Sequence, residues 1–308
     1  MTGGALELVL FTVVTAATPL LFAALGELVV ERSGVVNLGV EGMMALGAAL
    51  GFAVAFQTGS TFLGALAGAG AGMALATLFA ALALGLGANQ VASGLALTIL
   101  GLGASGLVGA GFVGQKRESA PHLHIPGLSD LPVVGKLAFS HDAFVYLAVA
   151  LTLGVAWFLA RSRMGLALRA IGDNHASAHA LGLKVLRARF LAILFGGACA
   201  GLAGAYLSLA YTPFWSPGMT AGRGWIALAL VVFASWRPFR ALVGALLFGA
   251  ATTLQLHAQA SGKFAVPAQL MSALPYLVTI LALIFLSLLD RRGSAAPASL
   301  GKPFAPDR

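Results

Sequence analysis

Apolar residues in this chain come in long blocks, and polar residues gather in short stretches between them. A helix that crosses a bilayer needs about 20 mostly apolar residues. Blocks of that order run from Leu8 to Val29, Leu38 to Phe56, Thr61 to Gly87, Val91 to Val113, Ala143 to Ala160, Phe190 to Tyr211, Ala241 to His257 and Leu274 to Leu289. One further block, Thr220 to Trp236, is shorter and follows Pro213 and Pro217, which predicts a half-span that starts in irregular backbone. The pattern predicts an all-α fold, a polytopic transmembrane helix bundle of about 8–10 spans with one short or re-entrant segment.

Composition sharpens this picture. Of 308 residues 59% are hydrophobic and 9% charged, with mean hydropathy +0.94, whereas a soluble domain carries about 25% charged residues. Water is therefore not the solvent for most of the surface. Forty glycines supply small contacts for helices packing in lipid, and Gly64, Gly68 and Gly72 recur every fourth residue as a packing stripe. The first block has no Lys or Arg before it and is followed by Glu31-Arg32, so it is expected to be a retained span and not a cleaved signal. Cys199 stands alone inside an apolar run and is expected to be a small packing residue.

The net charge of +8 suggests nucleic acid only until the positions are inspected, because the 18 Lys and Arg sit in short loops between spans. Their meaning is topological. Arg161, Arg163, Arg169, Lys184, Arg187 and Arg189 cluster in one loop, which is expected to be cytoplasmic. Counting outward from it places Arg32, Arg237, Arg240, Arg291, Arg292, Lys302 and Arg308 inside, and only Lys116, Arg117, Lys136, Arg223 and Lys263 outside. The N-terminus is then outside. Residues 1–290 form one transmembrane domain with a cytoplasmic segment at 161–189, and 291–308, rich in Pro, Ala and Ser, is expected to be a disordered cytoplasmic tail.

Three polar features interrupt the apolar background. Glu27, Glu31, Asn37 and Glu41 lie at or inside the edges of the first two spans, where a charge costs about 2.5–3.5 kcal/mol or more. Each pair is four apart and shares a helix face, with Arg32-Ser33-Gly34 as a break between them. Glu31 and Arg32 read most simply as a solvated turn, whereas Asn37 and Glu41 either line a polar path or brace it. Asn89, Gln90 and Ser93 form a second polar cluster at a span start, where Asn89 also suits a helix cap.

The second feature is the segment Met164 to Gly182, which reads as two short helices broken at Gly172-Asp173-Asn174, with Asp173 or Asn174 capping the second. Its mixture of Arg with exposed Ala, Leu and Ile suits docking onto another subunit, with a segment lying on lipid as the rival reading. His175 and His179 have metal-like spacing but no third ligand.

The third is Gly222-Arg223-Gly224-Trp225, followed by Trp236-Arg237-Pro238. Flanking glycines permit unusual backbone beside Arg223, the two tryptophans could mark two interfaces, and Arg223 either meets an anionic group or snorkels. Gly101 to Gly106 matches G-x-G-x-x-G inside a span and has no dinucleotide context, no phosphate loop of the G-x-x-x-x-G-K-[ST] type occurs, and no catalytic constellation is found.

The string Glu31 to Met44, ERSGVVNLGVEGMM, resembles the N-terminal signature of permeases in the branched-chain amino acid, ribose and nucleoside branch of ABC importers, and looks like the nucleoside type. The resemblance extends to Asn89 through Gly94, to Met164 through Gly182, to Gly222 through Ala229 with Trp236-Arg237-Pro238, and to Leu274 through Leu277. It departs at Asn174-His175, where the family often has proline after Asn.

The resemblance implies a heterodimer with a second related permease, a cytoplasmic ABC ATPase that hydrolyses ATP, an extracytoplasmic solute-binding protein, and the bacterial inner membrane as location. It implies no cofactor, metal or nucleic acid. Asn37, Glu41, Asn89, Gln90 and Ser93 would flank the translocation path, and Glu27, Glu31, Arg223 and Trp225 would serve structure or pathway. Gly165, Leu166, Arg169, Ala170, Gly172, Asp173, Asn174, Ala178 and Gly182 would form the element that receives ATPase motion. A simple-sugar or branched-chain amino acid permease is the alternative from the same machinery. An ion-coupled secondary transporter is the alternative from another class, and would need a paired ionisable relay at midplane.

Overall fold

The computed structural model describes residues 3–123, 139–261 and 296–305, with isolated positions between 270 and 284. Among these, seven helices are long and apolar enough to cross a membrane. They are α1 (Gly3–Arg32), α2 (Val40–Thr58), α3 (Thr61–Ala80), α4 (Gln90–Gly109), α5 (Ala143–Arg161), α8 (Val185–Tyr206) and α10 (Pro238–Ser261). Shorter helices α6 (Arg163–Asp173) and α7 (His175–Ala180) fill the segment before α8, and α9 (Arg223–Phe233) is the predicted short span. The predicted last span, Leu274 to Leu289, lies largely outside the described residues.

Small residues set the packing. Helix α8 lies against α1, α2 and α3, and glycines line the seam. A Cβ at Gly47 of α2 would stand 2.5 Å from the Gly201 carbonyl oxygen of α8, and one at Gly68 of α3 would stand 2.6 Å from the Ala205 Cβ. No methyl fits, so the backbones touch, as helices in lipid do when van der Waals packing replaces the hydrophobic drive. The predicted Gly64, Gly68 and Gly72 stripe is this seam, with all three buried. Gly101 faces Gly42 across the α2–α4 contact at the same close range, which is the use the chain makes of its false dinucleotide motif. Cys199 packs against Gly26 and is buried.

Helix α1 is the central column, with Phe22, Leu25 and Leu28 fully buried. Large apolar side chains such as Phe62, Ile99 and Leu107 point outward from α3 and α4, the inverse of a water-soluble surface.

The half-span differs from its predicted bounds for a backbone reason. Gly222 at φ +79° prevents the helix from starting at Thr220, and Ser235 and Trp236, at φ +48° and +54°, end it before Pro238. With 11 residues at 1.5 Å each, α9 covers roughly 16 Å, about half the hydrocarbon thickness.

The C-terminal segment corrects an expectation. Residues 296–305 are not a disordered tail. The Ser299 N–H donates to the Gly172 carbonyl at 2.8 Å, and the Gly301 N–H to that of Gly34 at 3.1 Å. Composition suggested disorder because Pro, Ala and Ser bury little surface, but these bonds are made by backbone groups, which composition does not report. Residues 291–295 and 306–308 lie outside the described residues.

Candidate functional site

The polar residues between α1 and α2 turn inward. Past Arg32 the chain leaves the helix through Gly34, at φ +87°, and runs in non-helical backbone to Gly39. Such backbone needs partners inside the protein, and the flagged residues supply them. Glu27 accepts the Asn37 N–H at 3.1 Å, the Asn37 side-chain oxygen accepts the Gly39 N–H at 2.9 Å, and Gln90 Oε1 accepts the Val36 N–H at 2.9 Å. Thr98 of α4 closes the set by donating to the Leu38 carbonyl at 2.8 Å. Asn37 is wholly buried, so it braces the break. Asn89 is exposed and caps α4 through the Ala92 N–H, while Ser93 is buried on the face of α4 next to Gly94.

The helix ends on either side of the break hold α9 at both of its ends. Glu41, 4% exposed, accepts the Gly222 N–H at 2.8 Å with one carboxylate oxygen and the Gly224 N–H at 2.6 Å with the other. These are unpaired donors at the positive end of a helix dipole, where a carboxylate is stabilised. Gly224 permits the approach, since a Cβ there would lie 2.6 Å from the Glu41 Cα. At the other end Glu31 accepts the Trp236 indole N–H at 2.6 Å, and the Arg32 guanidinium donates to the Trp236 carbonyl at 3.1 Å.

Two expectations change here. Glu31 is buried and is no part of a solvated turn, and Trp236 is buried against it, its indole N–H spent on a carboxylate inside the protein. A sequence cannot pair two residues 205 positions apart by local pattern. Trp225 remains exposed. Arg223 folds back, its Nη1 donating to the Met219 carbonyl at 3.0 Å, with its guanidinium 5.8 Å from the Tyr211 ring centroid. The partners shown for Arg223 are thus backbone carbonyls and an aromatic face.

The two short helices form as predicted. Ser162 caps α6 through the Gly165 N–H, and Asn174, not Asp173, caps α7 through the Ser177 N–H. Gly165 packs against the Phe158 carbonyl and Gly172 against that of Arg32, both too closely for a Cβ. Leu168, Ile171 and Ala178 are buried, whereas Leu166, Ala170, Asp173, Asn174 and Leu181 are exposed. Gly182 ends the unit at φ +82°, and Arg169 is partly buried.

Arg189, counted in the sequence only for its charge, is the largest fully buried side chain among the described residues. Its Nε donates to the Ser33 carbonyl at 3.1 Å, Nη1 to the Lys302 carbonyl at 3.3 Å, and Nη2 lies 3.2 Å from His175 Nδ1. A guanidinium only donates, so Nδ1 accepts and the ring proton sits on Nε2. Burial and the neighbouring Arg189 push His175 below its ordinary value. The departure from proline at this position thus supplies a ligand for Arg189. A signal existed, because an Arg flanked by Ala188 and Phe190 at the start of an apolar helix asks for buried acceptors.

The sequence matches the family described as "Branched-chain amino acid transport system / permease component" over residues 9–283. The chain belongs to this permease family. Similar proteins include one called "Putative glucose ABC transporter permease protein" in Haloferax volcanii, 46% identical and covering 88% of this chain and 89% of that one. The guanosine ABC transporter permease protein of Bacillus subtilis is 34% identical, covering 94% and 93%, and the nucleoside ABC transporter permease protein of Lactococcus lactis is 31% identical, covering 90% and 92%. No solved structure matches the chain.

The permease carries a second polar group at the opposite end of the bundle. His141 stacks on Phe11 with ring centroids 4.2 Å apart, and Asp142 caps α5 by accepting the Phe144 N–H at 2.9 Å. Burial raises the Asp142 carboxyl above 3.8, against the lowering pull of the Val145 and Phe144 N–H groups and of His122 and His141. Among the described residues no three His, Cys, Asp or Glu side chains group as metal ligands, and His124 lies outside them.

Proposed function

We propose that this permease is the transmembrane subunit of an ATP-binding-cassette importer and forms the path by which nucleosides cross the cytoplasmic membrane. The observation that carries the reading is family membership across nearly the whole chain, with relatives named for guanosine and nucleoside transport over 90% or more of it. Hydrolysis of ATP falls to a separate ATPase on the cytoplasmic side, a solute-binding protein delivers the solute from the other, and a second permease completes the path. Helices α6 and α7 receive the ATPase through Leu166, Ala170, Asp173, Asn174 and the residues flanking Gly182. Because Gly172 rests on the Arg32 carbonyl, a push on this pair moves the end of α1. Glu31, Arg32 and Glu41 would carry that movement to both ends of α9, and Asn37, Gln90, Asn89 and Ser93 would keep the break in shape beside the path.

The relative named for glucose favours a second reading, a simple sugar as solute. Uptake into proteoliposomes holding the complete importer decides between them. Labelled guanosine or uridine should enter only with ATP, and unlabelled nucleoside should compete where glucose does not. Competition by glucose alone would transfer the assignment to sugars, and uptake driven by an ion gradient without ATP would end the importer reading.

A further inference from the structure

Residues 296–305 meet the rest of the chain at two places that the proposed mechanism must link. Toward α6, the Ser299 N–H bonds the Gly172 carbonyl and the Ser299 hydroxyl bonds that of Asp173, at 2.8 and 3.2 Å. Toward the α1–α2 break, the Gly301 N–H bonds the Gly34 carbonyl. The Lys302 carbonyl meets Arg189, whose other nitrogens hold Ser33 and His175. The Phe304 ring then lies 5.2 Å from the His175 ring and 5.4 Å from that of His179. One short segment therefore touches α6, α7, α8 and the break, with Arg189 as the shared anchor.

We propose that this C-terminal segment is a positioning strap, which with Arg189 fastens the α6–α7 pair to the α1–α2 break so that motor displacement is transmitted and not absorbed. The inference rests on the importer reading and extends it. Backbone bonds suit the task, since they fix the distance between Gly172 and Gly34 whatever the side chains do. Without the strap, the α6–α7 pair keeps the Gly172 contact with Arg32, its link to α5 and the packing of Ile171 and Ala178 on Val185 of α8, but no hydrogen bond through 296–305 ties it to the α1–α2 break. The pair could then tilt under load while the break stayed still.

The test uses the complete importer in proteoliposomes. Deletion of 296–308 and Ser299→Pro should leave the amount of assembled complex and its ATP hydrolysis near wild type while solute imported per ATP falls about fivefold or more. Phe304→Ala and Arg189→Lys, which keeps the charge without the fork, should fall in between. Hydrogen exchange should rise at 164–182 and 33–39 and stay unchanged in α3. An unchanged import-to-hydrolysis ratio overturns the strap, and so does a variant that assembles poorly but whose surviving complexes couple normally. If the wild-type complex shows no ATP-driven uptake, the importer reading itself has failed. In that case unchanged exchange at 164–182 on deletion still rejects the strap.

Discussion

Replacing Glu41 by Gln isolates the contact that seats α9. The two side chains have the same shape, so no cavity opens, and the change falls on the two short bonds to the Gly222 and Gly224 N–H groups. Hydrogen bonds to a charged group contribute about 1.5–3 kcal/mol each, and a neutral acceptor is roughly half as strong. Gln keeps one acceptor at reduced strength and turns an NH2 donor toward the other N–H, while the helix dipole loses its counter-charge. The sum is about 3 kcal/mol, or roughly a hundredfold shift toward an unseated α9. Equilibrium unfolding of the purified permease in mixed micelles reads the stability, and uptake by the assembled importer reads the function. Glu41→Gln should lose about that amount and most uptake, and Glu41→Asp should fall short of both donors and lose nearly as much. An unfolding free energy within about 0.5 kcal/mol of wild type, the range of a surface substitution, would refute the reasoning.

Gly172→Ala puts a methyl against the Arg32 carbonyl, and should cost about 1–3 kcal/mol locally and uncouple hydrolysis from import without loss of membrane insertion; normal transport would contradict it. Charge reversal at Arg169 should uncouple in the same way. Asp142→Asn keeps a capping side chain but removes a carboxyl whose value burial raises above 3.8. The native state binds that proton more tightly than the unfolded one, so wild-type stability rises as pH falls from neutral through the raised value and levels off below 3.8. The variant should match or exceed wild-type melting temperature at pH 7.5, with the gap closing toward pH 4; a variant less stable at neutral pH would show that the charge helps.

The bundle was legible because lipid imposes span-length apolar blocks and leaves the polar breaks conspicuous. Glu27, Asn37, Glu41 and Gln90 stood out for that reason, and the structure brings Glu27, Asn37 and Gln90 to one break and Glu41 to the start of α9. What they do was less legible. Glu41 reads as equally suited to a water path or a brace until its partners, 181 and 183 residues away, are placed. Glu31 looked solvated because its neighbours Arg32 and Ser33 are polar, and only tertiary packing sets Trp236 over it. The contacts of 296–305 were illegible for a related reason, since most of them join main-chain groups to each other or to the buried Arg189, and the rest pair Ser299 and Phe304 with residues more than a hundred positions away.

The central claim is that the α6–α7 unit is a cytoplasmic surface driven by a separate ATPase. Leu181, 83% exposed beside Gly182, is the place to ask, because the single native Cys199 is buried and gives no background. Leu181→Cys should react with a membrane-impermeant maleimide in inside-out vesicles and not in right-side-out ones, and should lose that reactivity when the ATPase binds. Labelling from the exterior, or full labelling with the ATPase bound, would contradict the account.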